Sequence, residues 1–168
     1  MVEIHFGEKS MIRVAQLKDI PRIAEIIVFG KRVAYRDIFQ NDIVTFNELQ
    51  VMDLVANYHS NPALIKNMLV YDDGIIKGVI NRYYKEDTVE ISEFYIDPFF
   101  KGQGIGKKMI QHIIAEEKKM QTRKIFLWVI EENTVARKFY EANGMYATGD
   151  TCLIEGTDKT DMCYEIML

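Results

Sequence analysis

Apolar residues recur along the chain with two different periods, which predict a mixture of helices and strands. Over residues 18–34 they return every three to four positions, as in a helix with one buried face. Residues 124–130 are instead a nearly continuous apolar run, which is typical of a strand covered on both faces. The same reasoning predicts strands at 11–16, 64–71, 75–84, 88–97, 124–130, 145–154 and 162–168, and helices at 18–34, 48–58, 104–120 and 133–143.

The segments between these elements indicate how the chain is organised. Asp73-Gly74 stands between two apolar runs and is a strong hairpin signal. The chain has 168 residues, about the length of one domain, and we predict a single α/β domain over residues 11–168. Residues 1–10 are predicted to be an N-terminal extension or an extra edge strand.

Composition and charge narrow the classes of function. Hydrophobic residues make up 48% of the chain and the formal net charge is -4, which argues against a nucleic-acid partner because such partners need a basic surface. No apolar run approaches the roughly 20 residues that span a bilayer, and no secretory signal is seen, so we predict no membrane partner and a cytoplasmic location. Two cysteines and three scattered histidines lack metal-ligand spacing, and no metal is predicted.

Residues 90–108 combine a predicted strand, a break at Pro98, a glycine-rich loop and the start of a helix. A helix N-terminus presents unpaired N–H groups and the positive end of the helix dipole. Glycines just before it let an anionic group approach those N–H groups closely. The stretch therefore predicts a cradle for a diphosphate group.

Two common nucleotide-binding templates do not fit the spacing of these glycines. A dinucleotide loop needs Gly-x-Gly-x-x-Gly, whereas Gly102, Gly104 and Gly106 bring the third glycine one residue too early. A P-loop needs Ser or Thr after its Gly-Lys pair, but Lys108 follows Gly106-Lys107. Spacing excludes both templates.

A third template fits the loop. Residues 101–106 (Lys-Gly-Gln-Gly-Ile-Gly) resemble the acyl-CoA loop of the GNAT superfamily of N-acetyltransferases, Gln/Arg-x-x-Gly-x-Gly/Ala, with Lys101 in place of the usual Gln or Arg. Asn133 and Tyr140 follow on a further strand and helix, and they look like the Asn and Tyr of that superfamily. The resemblance implies the GNAT fold, an α/β architecture with a central mixed, mostly antiparallel twisted sheet of about seven strands and helices on both faces.

The resemblance also implies acetyl-CoA as co-substrate and a role for each matching residue. Backbone N–H groups of the loop would hold the pyrophosphate, and backbone groups of Tyr95 and Ile96, at a splay between two strands, would pair with the pantetheine and polarise the thioester. Asn133 would anchor the pantetheine arm or the helix start, and Tyr140 would protonate the departing thiolate. The implied cofactor-binding residues are Tyr95, Ile96, Lys101, Gly102, Gln103, Gly104, Ile105, Gly106, Lys107, Asn133 and Tyr140.

An amine arrives protonated, so the implied reaction needs a group that takes its proton. Glu90 falls where histone-modifying members of the superfamily carry their glutamate base, and acts directly or through water. Glu93 is the rival, closer to the splay. Because side chains alternate along a strand, Glu90 and Glu93 are predicted to lie on opposite faces.

The acceptor class is left open by the sequence. A polyamine, an amino acid, an aminoglycoside or a peptide amine all fit, although the segment from Thr148 onward is somewhat similar to bacterial polyamine acetyltransferases. Aromatic side chains in residues 35–47 either pack a loop or line the acceptor site, and a homodimer is allowed. The alternative from another class of function is a non-catalytic acyl-CoA-binding or sensor module.

Two further predictions concern single side chains. Trp128 lies in the longest apolar run and is predicted to belong to the core. If the last two strands form a hairpin centred between Thr157 and Asp158, Cys152 and Cys163 are direct cross-strand neighbours, and they stay thiols in a reducing compartment.

Overall fold

The computed structural model describes residues 11–168, so the extension or edge strand predicted for residues 1–10 lies outside the described residues. Seven strands form one sheet in the spatial order β1-β2-β3-β4-β5-β7-β6. The strands are β1 (Ile12–Val14), β2 (Leu69–Asp72), β3 (Ile76–Lys85), β4 (Thr88–Ile96), β5 (Lys124–Ile130), β6 (Tyr146–Leu153) and β7 (Thr160–Met167), and the helices are α1 (Ile20–Phe39), α2 (Val51–Ser60), α3 (Ile105–Lys119) and α4 (Thr134–Ala142).

Helices cover both faces of the sheet, each through its apolar stripe. Ile23 and Ile27 of α1 are fully buried and pack with Val79 of β3 on one face. Met109 and Ile113 of α3 are fully buried in the cluster on the other face, which also contains residues of β5 and β7. The α/β architecture with a seven-stranded sheet and helices on both faces is confirmed.

β4 and β5 are the one parallel pair among the described strands, and all other neighbours are antiparallel. Their pairing runs from Thr88 with Lys124 to Ile91 with Leu127, after which β4 and β5 separate. The second half of β4 therefore has a partner only on its β3 side. This separation opens a cleft in the middle of the sheet.

A β-bulge interrupts β4 just where the strands separate. Ile91 pairs with Arg82 and Phe94 pairs with Ile80, so two residues of β4 stand opposite one residue of β3. A bulge of this kind shifts the alternation of side chains by one position. Ile91 and Phe94 consequently both pack into the cluster under α3, whereas Tyr95 packs with α1 on the other face.

The bulge corrects the prediction for the two strand glutamates. Glu90, before the bulge, lies on the face opposite to Ile91, which is the face of α1 and α2. Glu93, within the bulge, contacts Lys31 of α1 and so lies on that same face. The prediction that the two glutamates face opposite sides is wrong, because strict alternation holds only in a regular strand.

Two element boundaries also differ from the predicted ones. α1 continues five residues past the predicted end at residue 34, and its last turn carries an edge-to-face contact between Tyr35 and Phe39, whose ring centroids lie 6.1 Å apart. The strand predicted from residue 64 starts only at Leu69, because Pro62–Ile65 forms a short 3-10 helix. The hairpin predicted at Asp73-Gly74 is confirmed, with Gly74 at φ 109°.

The predicted pairing of the two cysteines is wrong. Leu153 pairs with Thr160, which centres the β6–β7 turn between Gly156 and Thr157, one residue earlier than predicted. Moving the turn by one residue shifts the register by two, so Cys152 stands opposite Asp161. Cys163 is buried opposite Trp128, Cys152 is exposed, and both are free thiols.

Candidate functional site

The glycine-rich loop leads directly into α3 through two residues with left-handed backbone. Gly102 has φ 79°, and Gly104, the residue that caps the N-terminus of α3, has φ 75°. A Cβ at either position would meet no atom within 4 Å, so the backbone conformation rather than packing favours glycine there. The first-turn N–H groups of α3 are thus left open to a ligand.

Gly106 has a different role, because it lets α3 approach α4 closely. A Cβ on Gly106 would lie 3.3 Å from Cε2 of Phe139. The Phe139 ring in turn lies against Tyr140 and Phe94, with centroid distances of 5.4 and 5.7 Å. The glycine loop, α4 and the end of β4 are therefore packed around one point.

A cavity of about 490 Å³ occupies the cleft between the separated ends of β4 and β5. The strands contribute Ser92, Phe94, Tyr95, Ile96, Trp128 and Val129 to its walls. The loop and α3 contribute Lys101, Gly102, Gly104, Ile105, Gly106 and Lys107. The helices α1 and α4 close the remaining sides, with Gly30, Ala34 and Tyr35 from α1 and Asn133 and Tyr140 from the α4 region.

Most residues predicted for the site meet in this cavity. The cavity is lined by Tyr95 and Ile96 of β4, by the loop from Lys101 to Lys107 except Gln103, and by Asn133 and Tyr140. Gln103, Glu90 and Glu93 do not line it.

Tyr140 is a free hydrogen-bond donor in an apolar surrounding. Its residue is 9% exposed, and its ring contacts Phe94, Phe139 and Tyr164 at centroid distances of 5.4 to 6.5 Å. Burial raises the pKa of the Tyr140 hydroxyl, which is therefore protonated at neutral pH. Within residues 11–168 no side chain or backbone group is hydrogen-bonded to this hydroxyl.

Tyr35 and Tyr95 form a pair of hydroxyl groups on the opposite wall. Their oxygens lie 2.9 Å apart, and either can be the donor. Burial is the main cause that raises the pKa of both groups. The aromatic residues in 35–47 were expected either to pack a loop or to line the acceptor site. Tyr35 lies on the wall of the cavity.

The two candidate bases have different surroundings. The Oε1 atom of Glu93 accepts a hydrogen bond of 3.0 Å from Nζ of Lys31, and its Oε2 atom is buried without a hydrogen-bond partner among the described residues. The Glu93 charge also reaches the Tyr35 and Tyr95 hydroxyls, whose pKa values are raised first by burial and further by that charge. Glu90 stands between Tyr83 and Phe126 in the part of β4 that is still paired on both sides.

Asn133 caps the start of α4. Its Oδ1 atom accepts a hydrogen bond of 3.2 Å from the backbone N–H of Ala136, as expected for an N-cap asparagine. Its remaining amide faces the cavity. The same residue can thus fix the helix and present a polar group to a ligand.

Sequence reasoning missed several cavity residues, among them Trp128 and Gly30. Trp128 was predicted to be core, but it is 39% exposed and lines the cavity, because β5 is uncovered on this face once β4 has separated from it. Gly30 of α1 lines the cavity where a Cβ would lie only 2.7 Å from Cδ1 of Tyr95. No local signal marks either residue, since both depend on the separation of the strands.

The described residues contain neither a candidate metal site nor a candidate membrane-spanning helix. Residues 11–168 contain no group of three or more His, Cys, Asp or Glu side chains that could hold a metal ion. No helix in the same range is long and apolar enough to cross a membrane.

Comparison with known proteins gives curated relatives over part of the chain. An uncharacterized N-acetyltransferase of Methanocaldococcus jannaschii is 40% identical over 65 residues, which are 39% of this chain and 29% of that protein. The spermine/spermidine N(1)-acetyltransferase of Bacillus subtilis is 30% identical over 67 residues, which are 39% of this chain and 44% of that protein. The matched part spans less than half the length of either relative.

Solved structures match nearly the whole chain in fold. The PaiA N-acetyltransferase of Thermoplasma acidophilum, solved in complex with coenzyme A, superposes with a TM-score of 0.72 at 20% identity, covering 94% of this chain and 98% of that one. A ribosomal-protein-alanine N-acetyltransferase of Brucella melitensis superposes with a TM-score of 0.68 at 18% identity, covering 94% and 99%. At these identities the likeness concerns the fold.

A family model supports the assignment, because it matches a continuous part of the chain that contains all of the cavity residues named above except Gly30. The model, described as the acetyltransferase (GNAT) family, matches residues 33–145. That range includes the bulged strand, the glycine loop, α3, β5 and the Tyr140 helix. The chain belongs to the acetyltransferase (GNAT) family.

Proposed function

We propose that the protein transfers an acetyl group from acetyl-CoA to a primary amine by direct attack. One observation carries the proposal. A helix N-terminus freed by glycines and a protonated tyrosine, Tyr140, whose hydroxyl has no partner in residues 11–168, open into the same cavity at a splay in the sheet. The first feature suits binding of the diphosphate and the second suits protonation of the leaving group, and the pantetheine arm of CoA joins those two groups.

The cavity fits the chemistry of acetyl-CoA. The N–H groups of residues 103–107 and the charges of Lys101 and Lys107 suit the diphosphate, which carries negative charge. Beyond Ile91, β4 has lost its β5 partner, so the N–H and C=O groups on that edge of the strand are free to pair with the amides of the pantetheine arm. Asn133 supplies a further polar group beside that edge.

The chemical step then uses groups that already face the cavity. An N–H on the free edge of β4 near Ile96 polarises the thioester carbonyl, which helps the amine to attack. The new C–N bond forms while the C–S bond breaks, and the sulfur leaves as a thiolate. Tyr140 donates its proton to that thiolate, because its pKa keeps it protonated and its hydroxyl has no competing partner within the described residues.

We infer that Glu93, rather than Glu90, receives the proton that the amine loses. Glu93 lies nearer to the cavity on the same face, and its charge is felt by the Tyr35–Tyr95 hydroxyl pair on the cavity wall. A water molecule or that pair relays the proton. Glu90 stands in the paired half of β4, away from the cavity.

Acceptor class, location and assembly remain proposals. The relatives include a spermine/spermidine acetyltransferase and, at 27% identity over 86 residues, the N-alpha-acetyltransferase 40 of Saccharomyces cerevisiae. A polyamine, an amino acid, an aminoglycoside and a peptide amine stay candidates at this level. A single domain over residues 11–168, a cytoplasmic location and a homodimer stay predictions.

Replacement of Tyr140 by phenylalanine tests the proposed reaction. Tyr140→Phe removes the acid but keeps the ring contacts, so we expect kcat to fall about 100-fold, at the low end for general acid catalysis. Release of free CoA thiol across a panel of amines measures the rate, and calorimetry should give unchanged CoA binding.

The matched control is Tyr146→Phe, because Tyr146 is exposed on β6 and its hydroxyl donates a hydrogen bond to Glu165, away from the cavity. Full activity of Tyr140→Phe would remove Tyr140 from the mechanism. CoA binding by the unaltered protein without turnover of any amine would favour the non-catalytic acyl-CoA-binding module instead.

A further inference from the structure

Asp161 lies at the start of β7 on the same sheet face as Trp128. It pairs in register with Ile130 of β5 on one side and Cys152 of β6 on the other. Trp128 is two residues from Ile130 along β5, so Trp128 and Asp161 are diagonal cross-strand neighbours with side chains within reach of one another. Ile125, Leu127 and Val129 pack on the α3 side, which leaves Trp128 and Asp161 on the α1 side.

The Asp161 carboxylate has no partner within the described part of the chain. It is half-buried, and neither a hydrogen bond nor an ion pair joins it to residues 11–168. Glu165 is the contrasting case on the same strand and face, because it pairs with Lys124 at 2.8 Å and accepts a hydrogen bond from Tyr146. Burial alone raises the pKa of Asp161, since no cation offsets the loss of water.

The Asp161 charge acts on the acceptor end of the cavity. The pKa of Tyr35 is raised mainly by burial, and the charges of Glu93 and Asp161 add to that increase. The Glu93 charge is balanced by Lys31 at 3.0 Å, whereas the Asp161 charge is not balanced. The end of α1 also approaches the β6–β7 loop, where Phe39 and Ile154 line a common groove. Asp161 does not itself line the cavity, but within residues 11–168 it is an unpaired negative charge next to Trp128, which does line it.

The chemistry of the reaction limits what this charge can hold. If a carboxylate paired with the nitrogen that attacks, it would stabilise the protonated form of that amine and so prevent the loss of its proton. The attacking amine must be neutral, so a cation at Asp161 has to be a different group of the acceptor. Aromatic faces such as those of Trp128 and Tyr35 also attract an ammonium group.

We propose that Asp161 binds a second ammonium group of the acceptor, and that the acceptor is therefore a small diamine rather than a monoamine. Asp161 acts in this inference as a specificity-determining residue beside Trp128 and Tyr35. The inference rests on the proposed amine acetylation, but the binding of the second cation can be measured without it.

Amine binding is measured through the fluorescence of Trp128, the single tryptophan of the chain. CoA-loaded protein is titrated with cadaverine and with pentylamine, which share one carbon chain and differ in the second amino group. We expect the unaltered protein to prefer cadaverine by about tenfold or more, equivalent to ~1.4 kcal/mol, and Asp161→Asn to lose that preference. The control Asp158→Asn, which changes a carboxylate that is 89% exposed, should keep it.

Kinetics with acetyl-CoA should repeat the pattern in the amine KM, so that the preference for cadaverine is lost in Asp161→Asn and kept in Asp158→Asn. Calorimetric CoA binding checks that the variant is folded, and Asp161→Ser takes its place if it is not. Equal binding of the two amines by the unaltered protein, or an undiminished preference in the Asp161 variants, would overturn the inference. Selective binding of cadaverine through Asp161 without thiol release would instead disprove the proposed acetylation and leave the diamine site standing.

Discussion

Three tyrosines, Tyr35, Tyr95 and Tyr140, surround the cavity, and burial raises the pKa of each. All three are therefore protonated at neutral pH, so they can donate or relay a proton but cannot serve as the resting base. The proton of the amine must end on a carboxylate or in water. Glu93 is our candidate, because its Oε2 atom is buried and has no hydrogen-bond partner among the described residues.

The two glutamates of β4 can be separated by single substitutions. We expect Glu93→Gln to lower kcat/KM for the amine at neutral pH by about 100-fold, as for loss of a general base, with most of the loss recovered at higher pH, where the free amine is more abundant. Glu90→Gln should lower it less than twofold. Initial rates of thiol release measured across pH give both values. If Glu90→Gln lowered kcat/KM for the amine more than Glu93→Gln does, Glu90 would be the base instead.

Close approach of elements is what holds the site residues in place. Gly30 brings α1 against Tyr95 of β4, and Gly106 brings α3 against Phe139 of α4. The β4 bulge then turns Glu93 and Tyr95 towards α1 while Phe94 stays in the core under α3. Each of these contacts joins elements that are distant in sequence.

Substitution of Gly30 tests the contact between α1 and β4. A Cβ at Gly30 would lie 2.7 Å from Cδ1 and 3.1 Å from Cβ of Tyr95, so the Tyr95 ring must move and its bond to Tyr35 must break. Overpacking costs about 1–3 kcal/mol, against a gain of at most about 1 kcal/mol in helix propensity for alanine. We expect Gly30→Ala to reduce the free energy of unfolding by about 1 kcal/mol and to raise the amine KM.

Urea denaturation and amine kinetics measure the two effects. The control is Val33→Ala, because Val33 is 56% exposed on the same helix and should change stability by less than about 0.5 kcal/mol. Unchanged amine kinetics in Gly30→Ala would mean that the Tyr95 position does not matter for the acceptor.

Across the whole molecule, a buried ionic cluster ties α3 to the sheet at the end opposite its glycine-capped N-terminus. Nη1 of Arg82 on β3 lies 3.0 Å from Oε1 of Glu117, which is fully buried. Tyr84 and Thr122 donate hydrogen bonds to the same carboxylate at 2.8 and 2.7 Å. The cluster fixes the axis of the helix whose N-terminus faces the cavity.

Removal of the Glu117 carboxylate should destabilise the whole fold. Glu117→Ala leaves two hydroxyls without their partner and removes the fully buried one of the two carboxylates paired with Arg82, the other being the more exposed Glu116, so we expect a loss of about 3 kcal/mol in the free energy of unfolding. Asp87→Ala breaks an ion pair with Arg123 in which both side chains are about half exposed, and should cost less than about 1 kcal/mol. Urea midpoints compare the two variants, and equal losses would contradict a central role for the cluster.

Local features of the sequence were sufficient to predict most of the elements and the glycine-rich loop that opens α3. β5 was predicted with the bounds that the structure has, because seven consecutive apolar-rich residues between polar turns leave little choice. The loop from Lys101 to Lys107 was predicted from glycine spacing, since a left-handed turn before a helix is encoded by the residues that form it. Asn133 and Tyr140 were identified through the resemblance to the GNAT superfamily, and both lie at the helix that the sequence predicts there.

The acceptor end of the site was decided only by the tertiary structure. Three features depend on pairing between distant strands. The bulge brings Glu90 and Glu93 to one face, and the strand separation exposes Trp128. The register of β5 and β7 places Asp161 beside Trp128. A one-residue change in a turn shifts the register by two residues, and a single bulge reverses the facing of a strand. Sequence periodicity therefore determined which segments form helices and strands, and long-range strand pairing decided which side chains lie together around the cavity.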